Sequence, residues 1–232
     1  MPVAVITGGS KGLGRALGLA LAARGWDLVL GARTESVLAR TAREAAAYGT
    51  RVVAVPGDVT DGVHREALVA AAAGLGGLDL LVSNASVLGA APLVRLEAHA
   101  LAGLREALEV NVVAALGLVQ EALPLLRASA AGTVVAISSE AGAEPYETWG
   151  CYGATKAALD HMAAVLGVEE PGLRVWAVDP GDMDTDLHTA AVPAADGEYR
   201  PAPESVVPAF LRLLDERPVS GRYGARSLLA SA

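Results

Sequence analysis

The chain has 232 residues, 53% hydrophobic and 19% charged, enough apolar side chain for one domain with a sizeable core and too much for a disordered chain. A net charge of -8 without a basic cluster argues against a nucleic-acid partner, and the lone Cys151 excludes an internal disulfide framework. No basic stretch leads into an apolar run with a cleavage site, and apolar runs stay below the roughly 18 residues of a spanning helix, so a cytoplasmic protein with no membrane partner is expected.

Val3 to Thr7 is a short apolar run rich in β-branched residues, predicted as a buried strand. Gly8-Gly9-Ser10-Lys11-Gly12-Leu13-Gly14 follows, then a helical pattern from Arg15 to Arg24. Strand, glycine turn and helix together suit a pyrophosphate. Glycines admit close backbone approach, and the helix N-terminus offers N–H donors and a positive dipole end. The spacing is Gly8-x-x-x-Gly12-x-Gly14.

Asp27 to Ala32 reads as the second strand. A dinucleotide fold that prefers NAD places an acid at this strand's end to meet the ribose 2′-OH. Here that place holds Gly31-Ala32-Arg33. Arg33 can pair with a 2′-phosphate through its planar fork, and Lys11 can reach the same group. NADP is therefore expected ahead of NAD, the alternative for Arg33 being a solvated loop arginine.

Thr34 to Ala47 is predicted as a helix with Thr34 as its N-cap. Arg51 to Val55 is a third strand ending in Gly57-Asp58-Val59, where Asp58 is either an adenine ligand or a turn aspartate. A helix from Asp61 to Ala73 and a strand from Leu78 to Val82 lead into Ser83-Asn84-Ala85-Ser86, small residues that suit a backbone lying against a ligand. Glu97 to Ala128 is a long helical region with a kink or local break expected at Pro124. It contains Asn111 among apolar neighbours, either a helix bend or a catalytic support, whose amide needs partners if buried.

Thr133 to Ile137 is the fifth strand, followed by Ser138-Ser139-Glu140. Leu173 to Val178 is the sixth, followed by Asp179-Pro180-Gly181-Asp182-Met183-Asp184-Thr185-Asp186. Leu187 to Pro203 is rich in Ala and Pro and is predicted as a lid. Pro203 to Glu216 reads as a last helix, and Gly221 to Leu228 as a short edge strand. Strands alternating with helices predict an α/β fold, a doubly wound and mostly parallel sheet, with ligands at the carboxyl ends of its strands.

Between the fifth and sixth strands, Cys151-Tyr152-Gly153-Ala154-Thr155-Lys156 sets a tyrosine four residues before a lysine. On a helix the two side chains share a face, one turn apart. An ammonium beside a phenol favours the phenolate, which predicts a Tyr152 pKa lowered from about 10 towards neutrality. Such a phenol can exchange a proton with an alcohol or carbonyl oxygen. In isolation an ordinary helical surface pair is the better reading. Composition shifts the weight: Lys11 and Lys156 are the two lysines among 18 basic residues, and lysine, unlike arginine, is a tunable point charge.

Together, Thr7-Gly8-x-x-x-Gly12-x-Gly14, Asp58, Asn84-Ala85, Asn111, Ser139, Tyr152-x-x-x-Lys156 and Pro180-Gly181 resemble the short, single-domain type of short-chain dehydrogenase/reductase (SDR), over nearly the whole chain, 1–232. The resemblance implies a Rossmann-like seven-stranded sheet with helices on both faces. It also implies reversible hydride transfer between NAD(P)(H) and a small-molecule carbonyl or alcohol. Tyr152 would be the general acid in reduction and the base in oxidation. Lys156 would hold the nicotinamide ribose and lower the tyrosine pKa, Ser139 would polarise the carbonyl oxygen, and Asn111 would hold a relay water. The implied cofactor residues are Gly8, Ser10, Lys11, Gly12, Leu13 and Gly14 in the first turn, then Arg33, Asp58, Val59, Asn84 and Ala85. Tyr152, Lys156, Pro180, Gly181, Met183 and Thr185 complete the set, Thr185 at the carboxamide.

The chain departs from the family at Ser86 and Asp179, where glycine and asparagine are usual, and lacks the closing Thr-Gly-x-x-x-x-x-Asp-Gly-Gly. The first departure predicts a shifted turn; the last favours a homodimer through the Asn111 and Tyr152 helices over a tetramer. A non-catalytic NADP(H)-binding sensor on the same fold is the competing reading, but that class usually loses the tyrosine or lysine. Glu140, Glu144, Glu147, Asp182, Asp184 and Asp186, beside Tyr146, Trp149, Met183 and His188, suit a cationic or polyhydroxylated substrate; a solvated acidic rim is the stronger alternative. Scattered histidines and an unpartnered cysteine predict no metal site.

Overall fold

The computed structural model describes residues 1–193 and 200–230. Seven strands form one sheet: β1 (Val3–Thr7), β2 (Asp27–Ala32), β3 (Val52–Pro56), β4 (Leu80–Ser83), β5 (Thr133–Ile137), β6 (Arg174–Asp179) and β7 (Gly221–Gly224). Their order is β3-β2-β1-β4-β5-β6-β7, and every pairing is parallel, including the edge strand β7. The helices are α1 (Gly12–Ala23), α2 (Glu35–Ala46), α3 (Gly62–Leu75), α4 (Leu101–Leu108), α5 (Ala114–Ala128), α6 (Gly150–Glu169), α7 (Asp186–Ala191), α8 (Val207–Glu216) and α9 (Ala225–Ala230).

Successive strand residues point to opposite faces, and both faces of a parallel sheet are covered, so β1 is buried at every position. Ala4, Ile6, Leu28, Leu30 and Val82 pack with Leu17 and Leu21 of α1 and Phe210 and Leu213 of α8. Val3, Val5, Val29 and Leu81 pack on the other face with Leu68 of α3, Leu118 of α5 and Leu159 of α6. Strand order reverses direction between β1 and β4, which opens a crevice at the carboxyl ends of the central strands.

The long helical region differs from expectation. The chain is unbroken as α5 through Pro124. Pro124 and Gln120, whose carbonyl loses its donor to the proline, both lie on the exposed side, where solvent can reach that carbonyl. The irregular turn instead falls at Glu109–Val113, a π-helical segment with Asn111 buried in it. Leu101–Ala128, 28 residues with an 18-residue window of mean hydropathy 1.4, is long and apolar enough by length and composition to cross a membrane, although no uninterrupted apolar run in it approaches 18 residues. Its buried residues face the sheet core. Thr34 occupies the N-cap of α2 but makes no side-chain cap bond, whereas Asp61 caps α3 through Val63 N at 2.9 Å. The segment predicted as a lid begins with α7; its part at 194–199 lies outside the described residues.

Gly14 fixes how α1 approaches the first turn. A Cβ there would stand 2.4 Å from Gly8 O and 2.7 Å from Asn84 Nδ2. Alanine in a helix is worth up to about 1 kcal/mol over glycine, but this overlap costs about 1–3 kcal/mol. Gly14→Ala is therefore expected to lower the melting temperature. Gly74→Ala in α3, with nothing within 4 Å of its added carbon, is expected to raise it. Thermal denaturation of the two variants checks the opposite signs.

Candidate active site

A cleft of about 930 Å³ opens at the carboxyl ends of the strands. Every site residue expected from the sequence lines it except Gly14 and Asn111. The first turn is built by backbone conformation and one hydroxyl. Gly8 and Gly12 adopt φ of +63° and +49°, which favour glycine. Thr7 Oγ1 accepts from Asn84 N at 2.9 Å and Ala85 N at 3.0 Å, stitching the ends of β1 and β4 together. Asn84 returns the tie, its Nδ2 donating to Thr7 O at 2.8 Å. Asn84 thus braces the glycine turn as well as lining the cleft.

Asp58 accepts from Thr60 N at 2.9 Å and Thr60 Oγ1 at 2.8 Å. These bonds hold its carboxyl below the usual carboxylate range, so it is a turn aspartate that also faces the cleft. His64, which sequence reasoning did not single out, fills the space beside Gly57, where a Cβ would meet its Nδ1 at 2.3 Å. Arg33 is exposed at the end of β2. Lys11 pairs with Asp186 of α7 at 2.8 Å, both side chains being largely exposed, a pairing weak enough to exchange for another anion.

At the other end of the cleft, Tyr152 and Lys156 lie one turn apart on α6, 6% and 2% exposed. Gly142 and Gly153 bring Ser139 to them. A Cβ on Gly153 would meet Ala141 O at 2.3 Å, and one on Gly142 would touch the Lys156 backbone at 3.0 Å, so the turn after β5 lies directly on the helix. Ser139 Oγ accepts from Ala141 N at 3.3 Å. Lys156 Nζ donates to Ile137 O at 2.8 Å and stands 5.5 Å from the centre of the Tyr152 ring.

This geometry corrects the expected pKa of Tyr152. Burial pushes the phenol up to about 12, with the charge of Asp179 adding to the rise and the hydroxyls of Ser86 and Ser139 opposing it. Burial likewise presses Lys156 down to about 8, against the field of Asp160. The ammonium is committed to a main-chain carbonyl and lies by the ring, so the cost of burying a phenolate outweighs its pull.

Asn111 has its whole side chain engaged. Nδ2 donates to Val87 O and Thr155 Oγ1, both at 2.9 Å; Oδ1 accepts from Val87 N at 2.9 Å and Ser86 Oγ at 3.1 Å. Thr155 Oγ1 in turn donates to Tyr152 O at 2.7 Å. Asn111 therefore joins the loop after β4 to the tyrosine's own turn. Ser86, where glycine was expected, is built into this network through its hydroxyl.

Trp149 meets Tyr152 edge-on, with ring centroids 5.7 Å apart, and His188 at 6.2 Å. Of the acidic residues named from the sequence, Glu140, Asp182, Asp184 and Asp186 line the cleft, while Glu144 and Glu147 do not. Glu147 pairs with Arg95 at 2.5 Å, and Asp182 lies 3.5 Å from His188 Nδ1. Cys151 is buried, and burial pushes its thiol up.

A family model described as short chain dehydrogenase matches residues 2–196. The chain belongs to the short-chain dehydrogenase/reductase family. An uncharacterized oxidoreductase of Saccharomyces cerevisiae is 36% identical over 188 residues, covering 80% of this chain and 72% of the relative. The sepiapterin reductase of Meriones unguiculatus is 37% identical over 202 residues, covering 82% and 77%. A short-chain dehydrogenase from Shigella flexneri complexed with NADP superposes with a TM-score of 0.90 at 27% identity, over 97% of each chain.

As an SDR, the protein is an NAD(P)-dependent oxidoreductase acting on a small molecule. Its cleft fits such a cofactor. The left-handed Gly8 and Gly12 leave the turn without side-chain bulk at the α1 N-terminus, and Gly181, at φ +73°, has open space where a Cβ would stand. Arg33, Asp58, Tyr152 and Lys156 all line this cleft.

Asn111→Leu keeps the side-chain size but leaves the Val87 amide and carbonyl without these partners. A loss of about 2–4 kcal/mol in unfolding free energy is expected. Chemical denaturation checks it; an unchanged midpoint would show the network to be dispensable.

Proposed function

We propose that this SDR is an NADP(H)-dependent carbonyl reductase in which Tyr152 is the proton donor. The observation that carries the reading is the buried pair on α6: a phenol that keeps its proton through neutral pH, beside an ammonium whose pKa of about 8 still leaves it charged there. A protonated phenol is the form needed to give a proton to a carbonyl oxygen.

Tyr152 and Ser139 hold the carbonyl oxygen between two hydroxyl donors. The reduced nicotinamide, when bound, supplies the hydride. As charge builds on the oxygen, the Tyr152 proton passes to it and a phenolate forms. The Lys156 ammonium stabilises that phenolate. Trp149 offers an apolar wall for the body of the substrate, with Leu88 and Leu187 beside it. The preference for NADP is supported by Arg33 and Lys11, which line the cleft, and by the lack of an acid at the end of β2. NADP and NADPH complexes among the similar structures point the same way.

NADPH oxidation is expected with a compound from a panel of aldehydes, ketones, quinones and diketones. Tyr152→Phe is expected to lower turnover on the order of 10²–10⁴-fold with NADPH binding retained. Because Lys156 must be charged, the reduction rate holds below about pH 8 and falls above it as the ammonium loses its proton. Arg33→Asp is expected to weaken NADPH binding far more than NADH binding. Tight NADPH binding without turnover on any compound would favour a sensor, and equal losses for the two cofactors would refute the NADP preference.

A further inference from the structure

Arg222 stands on β7, the edge of the sheet, yet its guanidinium meets three elements of the active site. Nε donates to Asp160 Oδ2 at 2.9 Å. Nη2 donates to Ser139 O at 3.1 Å and lies 3.7 Å from Asp179 Oδ2. Asp160 sits one turn beyond Lys156 on α6, Asp179 ends β6, and Ser139 follows β5. Both carboxylate side chains are 15% exposed. Asp160 Oδ1 is buried with no hydrogen-bond partner among the described residues. A buried carboxylate with one oxygen unbonded depends strongly on its counter-charge.

The two carboxylates act on different members of the reacting pair. Asp160 supports the charge on Lys156, and Asp179 opposes a phenolate on Tyr152. Other groups acting on Asp179 are Glu140 after β5 and Gly181 N, which donates to Asp179 Oδ1 at 2.9 Å, while the Ser86 hydroxyl from the β4 loop acts on Tyr152.

We propose that Arg222 is a positioning residue: from the terminal strand it balances Asp160 and Asp179 and holds the Ser139 main chain, fixing the charge behind Tyr152 and Lys156. The proposal rests on the reading of that pair as the proton-transfer apparatus, but its test does not need turnover. With ¹³C-labelled lysine, the chain gives signals from two lysines, and Lys156 is assigned by its loss in Lys156→Arg.

Arg222→Met leaves Asp160 unbalanced, which favours the ammonium. The Lys156 midpoint is expected to rise by about half to one pH unit, and the fall in reduction rate at high pH to move with it. Adding Asp160→Asn to Arg222→Met is expected to bring the midpoint back. Asp160→Asn alone, which keeps Arg222, is expected to move it below the wild-type value, and this holds the test open if Arg222→Met does not fold. A cooperatively folded Arg222→Met with an unmoved midpoint, or an Asp160→Asn midpoint equal to wild type, would overturn the proposal. A shifted midpoint without turnover in any protein would uphold the charge balance and count against the reductase reading instead.

Discussion

An ammonium held almost wholly out of water is the constraint on which the active site depends. Lys156 is 2% exposed and has one short bond, to Ile137 O at the end of β5. Burying a charge with so little compensation costs several kcal/mol, and its depressed pKa reflects that cost. The site is arranged around keeping it in place. Gly142 and Gly153 let the turn after β5 lie flat on α6, which sets Ser139 beside Tyr152 and seals the lysine beneath. A side chain at either glycine would separate strand end from helix and admit water to the charge.

The glycine turn follows another logic, in which neutral hydrogen bonds replace charge. Thr7 and Asn84 exchange bonds across the ends of β1 and β4, and the left-handed glycines leave the turn without side-chain bulk. The two ends are not independent. The loop that carries Asn84 continues through Ser86 and Val87 to Asn111, and Asn111 reaches Thr155 on α6. Partly buried polar contacts and the loop's own main chain therefore connect the glycine turn to the tyrosine. A buried network of this kind specifies geometry best when every member is satisfied, as Asn111 is.

Much of the fold was readable in the sequence, because its signals are local. The β-branched run at Val3 to Thr7, the glycine turn and the alternation of strand and helix each show within a few residues, and they led to the sheet and the place of the cleft. What escaped depends on burial or on distant partners. The tyrosine pKa was expected to fall because spacing shows a lysine one turn away but not the water removed from both groups. The helix runs on through Pro124, and the irregular turn falls at Glu109–Val113, which no breaker residue marks in the sequence. Asp58 is a turn aspartate through a contact two residues away, which spacing left open. The link from Arg222 to Asp160 spans 62 residues, and no local pattern announces it.

The measurement that most directly tests this account is the titration of Lys156 in the wild-type protein, followed by NMR of ¹³C-labelled lysine. A midpoint at about 8 is predicted. A midpoint at the ordinary lysine value of about 10.4 would mean that the ammonium is solvated, and the buried pair at the centre of the account would have to be abandoned.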